Sequence, residues 1–85
     1  MANPAIIVCP ANTWKKVASG VTSGVVTPFI ENVRYSQTYR VASDPVPTDL
    51  SDAVYFGEPH LISSSSAIDV YIYAHNKAGS VRVDL

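Results

Sequence analysis

The stretch Ala67-Ile-Asp-Val-Tyr-Ile-Tyr-Ala-His-Asn-Lys-Ala-Gly-Ser-Val-Arg-Val-Asp-Leu85 decides the fold class of this chain. From Ile68 its even positions, Ile68, Val70, Ile72 and Ala74, are apolar, while the odd ones are Asp69, Tyr71, Tyr73 and His75. After a turn the alternation resumes, with Val81, Val83 and Leu85 on one face and Arg82 and Asp84 on the other. Successive strand side chains point to opposite sides of a sheet, so this pattern buries one face and frees the other. The reading is a terminal β-hairpin whose C-terminus is structural, in a protein that is mostly β.

Working outward from that hairpin, Val33 to Ala42 is a second alternating strand. Val33, Tyr35, Gln37, Tyr39 and Val41 share one of its faces, and aromatic and β-branched residues suit a pleated, half-buried surface. Trp14 to Val26 is rich in Trp, Val and Thr and reads as two short strands turning near Ser19-Gly20 or Ser23-Gly24. Phe29-Ile30, after Pro28, is expected to pack inward. Val54-Tyr-Phe56 and His60-Leu-Ile-Ser63 are further short strands, and Ser63 to Ser66 a polar connector. Ser43-Asp-Pro-Val-Pro-Thr-Asp49 is a loop stiffened by its prolines. Asp49 then stands as a cap for one helical turn at Leu50-Ser-Asp-Ala53. The first strand, within residues 4–10, is bracketed by Pro4 and Pro10, which assigns it to a sheet edge or an extended arm.

The expected fold is therefore all-β, a small antiparallel β-sandwich or compact β-barrel of six to eight short strands. Residues 1–12 form the N-terminal strand or arm, and residues 13–85 a single all-β domain. Val17, Val33, Tyr39, Val54, Ile68, Val70, Ile72, Val81 and Val83 are the expected core.

A domain of 85 residues has a thin core, and small β domains often supplement it by oligomerising. Only 15% of residues are charged, against about 25% in an average domain, which suits a surface held against other protein. The net charge of −1 argues against a nucleic-acid binder, which needs a basic stripe, and Lys15-Lys16 is the one adjacent basic pair. No apolar run approaches the roughly 20 residues of a membrane helix. Met1-Ala-Asn-Pro4 lacks the basic flank and apolar core of a signal peptide, so the protein is expected to stay where it is made unless an assembly carries it. The single cysteine, Cys9, is expected to be a small buried apolar residue.

The residue types of a hydrolase are present, but not its pattern. Ser63 to Ser66, His60, His75 and Asp69 lack a nucleophile elbow, and a polyserine run is ordinary linker composition. His60 and His75 supply too few ligands for zinc, and the acidic residues lack calcium-loop spacing. No catalytic residue, metal or cofactor is assigned. The candidate site is instead an interface, formed by Ile6, Ile7 and Val8 of the first strand and by Asp69, Tyr71, Tyr73 and His75. Tyrosine joins a large contact area to a hydroxyl and is enriched at protein contacts.

The order Thr13-Trp-Lys-Lys-Val17, Val21-Thr-Ser-Gly24, Tyr39-Arg40, Pro47-Thr-Asp49, Ala67 to Tyr73 and Gly79 to Asp84 resembles small all-β virion proteins of tailed bacteriophages. The resemblance lies in strand and turn texture over residues 13–85 and carries no functional residue across. It implies a non-enzymatic structural role, foremost a capsid decoration or cement protein that binds the capsid lattice as a homo-oligomer. Its partners would be the major capsid protein or tail proteins, and its location the virion, after synthesis in the host bacterial cytoplasm. The other readings are a tail adaptor, fibre anchor or spike component, and a small module stacking sugars or host-surface ligands on Tyr71, Tyr73 or Trp14.

Overall fold

The computed structural model describes residues 5–29, 33–41 and 44–85. The expectations for Ile30, for Ala42 as a strand end and for residues 1–4 of the arm lie outside the described residues. Among the described residues six strands form: β1 Ala5–Cys9, β2 Trp14–Pro28, β3 Arg34–Arg40, β4 Val54–Phe56, β5 His60–His75 and β6 Gly79–Asp84. They make one sheet in the order β1-β6-β2-β5-β3-β4, antiparallel at every pairing and curled into a half-barrel. The all-β expectation holds.

Two strands are much longer than the sequence pattern suggests. A straight strand the length of β5 would run about 50 Å, yet the molecule measures 32 × 28 × 17 Å. β2 and β5 must therefore bend together. Their register shifts between Lys16 and Ala18, between Ala18 and Val21, and between Val21 and Ser23. Extra residues of this kind bend a strand and increase its twist. Gly20 lies here with φ +64°, a backbone state that glycine adopts without steric penalty. Asp69 on β5 fixes the irregular stretch: its Oδ1 accepts hydrogen bonds from Gly20 N (2.9 Å) and Ser19 Oγ (3.2 Å). Glycines that read as turns are thus bends inside one continuous strand. The serine run 63–66 likewise belongs to β5 rather than to a connector.

The terminal hairpin also needs correction. β5 and β6 follow each other in sequence but do not pair, because β2 lies between them. Residues 76–78 form an arch across the folded sheet rather than a hairpin turn. The alternation is borne out from Ile68 to Val83, since Ile68, Val70, Ile72, Ala74, Val81 and Val83 are all buried in one core, whereas Leu85, expected on the same face, is exposed. Periodicity states which face is inside; it does not state which strand lies alongside. The arch is tied down by two left-handed asparagines, Asn12 (φ 57°) and Asn76 (φ 71°). Asn76 N donates to Asn12 Oδ1 at 2.9 Å, and Asn12 N donates to Ala74 O at 2.8 Å. A short polar side chain tolerates this backbone state better than most.

Side chains of β3 staple the curled sheet across its interior. Tyr35 donates through its hydroxyl to Ser80 O (2.8 Å) and accepts from Ser80 N (3.0 Å), so it mimics a neighbouring strand for β6. Gly79 leaves room for this ring, because a Cβ there would stand 2.3 Å from the Tyr35 hydroxyl. Tyr39 reaches His60 in the same way, hydroxyl to Nε2, and Phe56 packs against the same imidazole.

Of the expected core, Val17, Ile68, Val70, Ile72, Val81 and Val83 are buried, while Val33 and Tyr39 pack at its margin. Val54 is exposed, because β4 is a three-residue edge strand. Phe29 is exposed rather than packed inward. Cys9 is buried, and burial pushes its thiol up to about 11, which makes it an inert apolar filler. Around Leu50–Ala53 there is a turn (Ala53 N to Leu50 O, 3.1 Å) and no helix. Among the described residues, no helix is long and apolar enough to cross a membrane.

Candidate functional site

The curled sheet has two outer faces, and they are finished differently. The first lies over the N-terminal half of β2, the C-terminal half of β5, and strands β3 and β4. Register sets Trp14, Tyr73, Ser36 and Tyr55 in one row across four strands, with His75 beside Arg34 in the next. Trp14 meets Tyr73 edge-on at 5.3 Å, Tyr73 meets His75 at 4.8 Å, and His75 meets Tyr55 at 5.2 Å. The guanidinium of Arg34 caps the run, 5.7 Å from the Tyr55 ring centre. Such ring contacts add about 0.5–1.5 kcal/mol each beyond simple burial.

The segment after β3 roofs part of this face. Trp14 Nε1 donates to Asp49 O at 2.9 Å, and Pro47 and Tyr71 are buried. Arg40 pairs with Asp52 at 2.8 Å. Asp49 Oδ1 accepts from Ser51 Oγ (2.7 Å) and Ser51 N (3.0 Å), bonds that hold its carboxyl below the usual range. Between roof and sheet runs a groove of about 460 Å³, lined in part by Trp14, Val46, Leu50 and Tyr73. Trp14 therefore pins the roof to the sheet.

The second outer face lies over β1, β6, the C-terminal end of β2 and the start of β5. Pairing puts Ile6 opposite Arg82, Val8 opposite Ser80, Thr27 opposite Arg82 and Leu61 opposite Val25. Phe29 continues the Val25, Thr27 alternation, and its N–H donates to Ser80 O. Nothing among the described residues roofs this face. Leu61 is 70% exposed, Val8 63%, Phe29 57% and Ile6 51%. The charges within it, Arg82 and Asp84, pair with each other at 3.2 Å.

The expected interface residues thus divide between two places. Ile6 and Val8 belong to the bare face, while Ile7 turns inward and packs against the core. Asp69, Tyr71, Tyr73 and His75 belong to the roofed face. Tyr71 lies beneath Lys16, whose Nζ is 5.9 Å from its ring centre, and Asp69 is engaged by Gly20, Ser19 and Lys16. Residues 5–9 of the first strand pair on one side with β6 of their own chain and stand at an edge of the sheet. Phe29, Leu61, Tyr55 and Arg34 escaped the sequence reading. Odd-numbered continuation from Val25 would have placed Phe29 outward.

Ser36 Oγ and His75 Nε2 stand 2.7 Å apart, which resembles a nucleophile and its base. Ser36, however, is fully buried, so no substrate reaches that oxygen. His60 is engaged by Tyr39 and Asp69 by the β2 bulge, so the sequence-level triad candidates do not converge. Among the described residues, no three His, Cys, Asp or Glu side chains come together as metal ligands. No family model, curated protein or solved structure matches this chain.

Proposed function

We propose that the protein is a structural component of a tailed-bacteriophage virion, foremost a capsid decoration or cement protein. The observation that carries this reading is the bare face, where Ile6, Val8, Phe29 and Leu61 stand in water around one self-neutralised ion pair. Contiguous apolar surface on a small soluble domain marks a contact with other protein. The low charge of the chain suits surfaces that meet many identical neighbours. A decoration protein repeats over a lattice, so weak individual contacts sum when copies also touch one another.

The test is the position of the chain in an image of the intact particle. Density at every lattice position supports decoration, whereas a few copies at the tail place it as an adaptor, fibre anchor or spike component. Leu61→Lys should lower particle occupancy while the domain stays folded. Purified particles lacking the chain overturn the virion reading.

A second reading rests on the aromatic groove. Trp14 and Tyr73 border about 460 Å³ of space beside polar backbone, an arrangement that suits a sugar ring. Glycan-array binding that vanishes in Tyr73→Ala would favour this reading over the structural one.

A further inference from the structure

The two edges of the sheet are not equally protected. At one end β4 has three residues and runs into Gly57-Glu58-Pro59, a short strand closed by a charge and a proline. Native sheets commonly blunt an edge in this way. At the other end β1, Ala5-Ile-Ile-Val-Cys9, is flanked in sequence by Pro4 and Pro10, but its five residues are longer than β4 and hold no charge, no proline and no bulge, and its register with β6 is unbroken from Ala5 to Cys9. Its outer side has no strand partner among the described residues. Such an edge is a template for one more extended strand.

We propose that β1 pairs antiparallel with β1 of a second copy across a two-fold axis at Ile7, joining two half-barrels into one twelve-stranded sheet. The strand is close to self-complementary about that residue. Ile6 comes opposite Val8 of the second copy, Ile7 opposite its own counterpart, and Ala5 opposite Cys9. Ile6 and Val8 of both copies then form one apolar stripe on the outer face, continuous with the bare face. The charges permit it. Arg82 lies one strand inside β1, next to Ile6. The two copies of Arg82 therefore stand three strand spacings apart, about 14 Å, beyond the screening length at physiological salt. A head-to-tail union of β1 with β4 would instead leave free ends and grow without limit; the two-fold union closes.

This deepens only the self-association within the virion reading, and it is tested on the purified chain without particles. Sedimentation should give twice the 9.1 kDa chain mass. Val8→Lys, a change at an exposed position, should return the chain to monomer with an unchanged circular dichroism spectrum. Register is tested in a Cys9→Ala background with Ile6→Cys and Val8→Cys variants. Mixing the two should yield a disulfide-linked dimer, and neither alone should, because only directly opposite residues come within disulfide range. A monomeric wild-type chain, a dimer that survives Val8→Lys, or equal cross-linking in each single preparation overturns the proposal. A monomer would leave the virion role standing, whereas particles lacking the chain would leave the dimer standing.

Discussion

The two outer faces come from one sheet and one pattern of alternation, yet one is roofed and the other bare. Over β3 and the C-terminal half of β5, the outward side chains are rings and hydrogen-bonding groups, and residues 44–53 lie across part of them. Over β1 and β6 the outward side chains include short aliphatics and one ion pair, with no such segment above them among the described residues. Trp14 makes the difference. Its ring meets Tyr73 and its nitrogen holds the roof at Asp49, whereas nothing on the bare face offers a comparable anchor. An outward face becomes interior when the chain supplies both a platform and a stiff segment to lay on it.

Removing the anchor should break the contrast most strongly. Trp14→Ala loses the ring contacts and the bond to Asp49 together and should cost about 2–4 kcal/mol, toward the lower range for large-to-small aromatic changes. Urea denaturation would measure it, and an unchanged midpoint would refute the role given to Trp14. Next comes Tyr35→Phe, which keeps the ring but takes the hydroxyl acceptor from the Ser80 N–H, while the Ser80 carbonyl keeps its bond from Phe29 N. An expected cost of about 1–3 kcal/mol follows from leaving such a group without that partner. A loss below a few tenths would mean that the staple between β3 and β6 is dispensable.

Acid should act more gently, and away from the bare face, which carries no imidazole. Burial lowers the pKa of His60, and burial with the nearby Arg34 lowers that of His75. The folded chain therefore binds fewer protons than the unfolded chain near the ordinary histidine value of about 6.5. The stability from both groups is complete above that pH and is lost as pH falls through the folded values. Denaturant midpoints should decline from about pH 8 to about pH 5, and His60→Phe should flatten part of that slope. A wild-type profile without slope would contradict the burial of both rings. The smallest effect belongs to Leu61→Lys, expected within about 0.5 kcal/mol of wild type because the side chain already stands in water. A large loss there would show that the bare face is not bare.

Much of the core was legible from alternation alone. Ile68, Val70, Ile72, Val81 and Val83 are inside because period-two patterning and burial are the same statement for a strand. Pairing was not legible. Two strands joined by a few residues look like a hairpin whether or not a third slides between them, and β2 arrives from far earlier in the chain. Gly20 misled for a related reason: positive φ serves a tight turn and a bulged strand equally well, and local sequence does not separate them. The roofed face was half readable. Tyr71, Tyr73 and His75 announced an unusual surface, but only the fold brings Pro47 and Asp49 over it.

The pairing of β1 with β6 has a consequence for the order of events during synthesis. Ala5 lies opposite Val83, so β1 waits through the synthesis of β2 to β5 before its hydrogen bonds to β6 can close. Partners so distant along the chain also meet slowly. Until then a neutral, aliphatic segment remains open on both sides. The nascent protein is thus most exposed to stray association at the place where the finished one is proposed to associate by design.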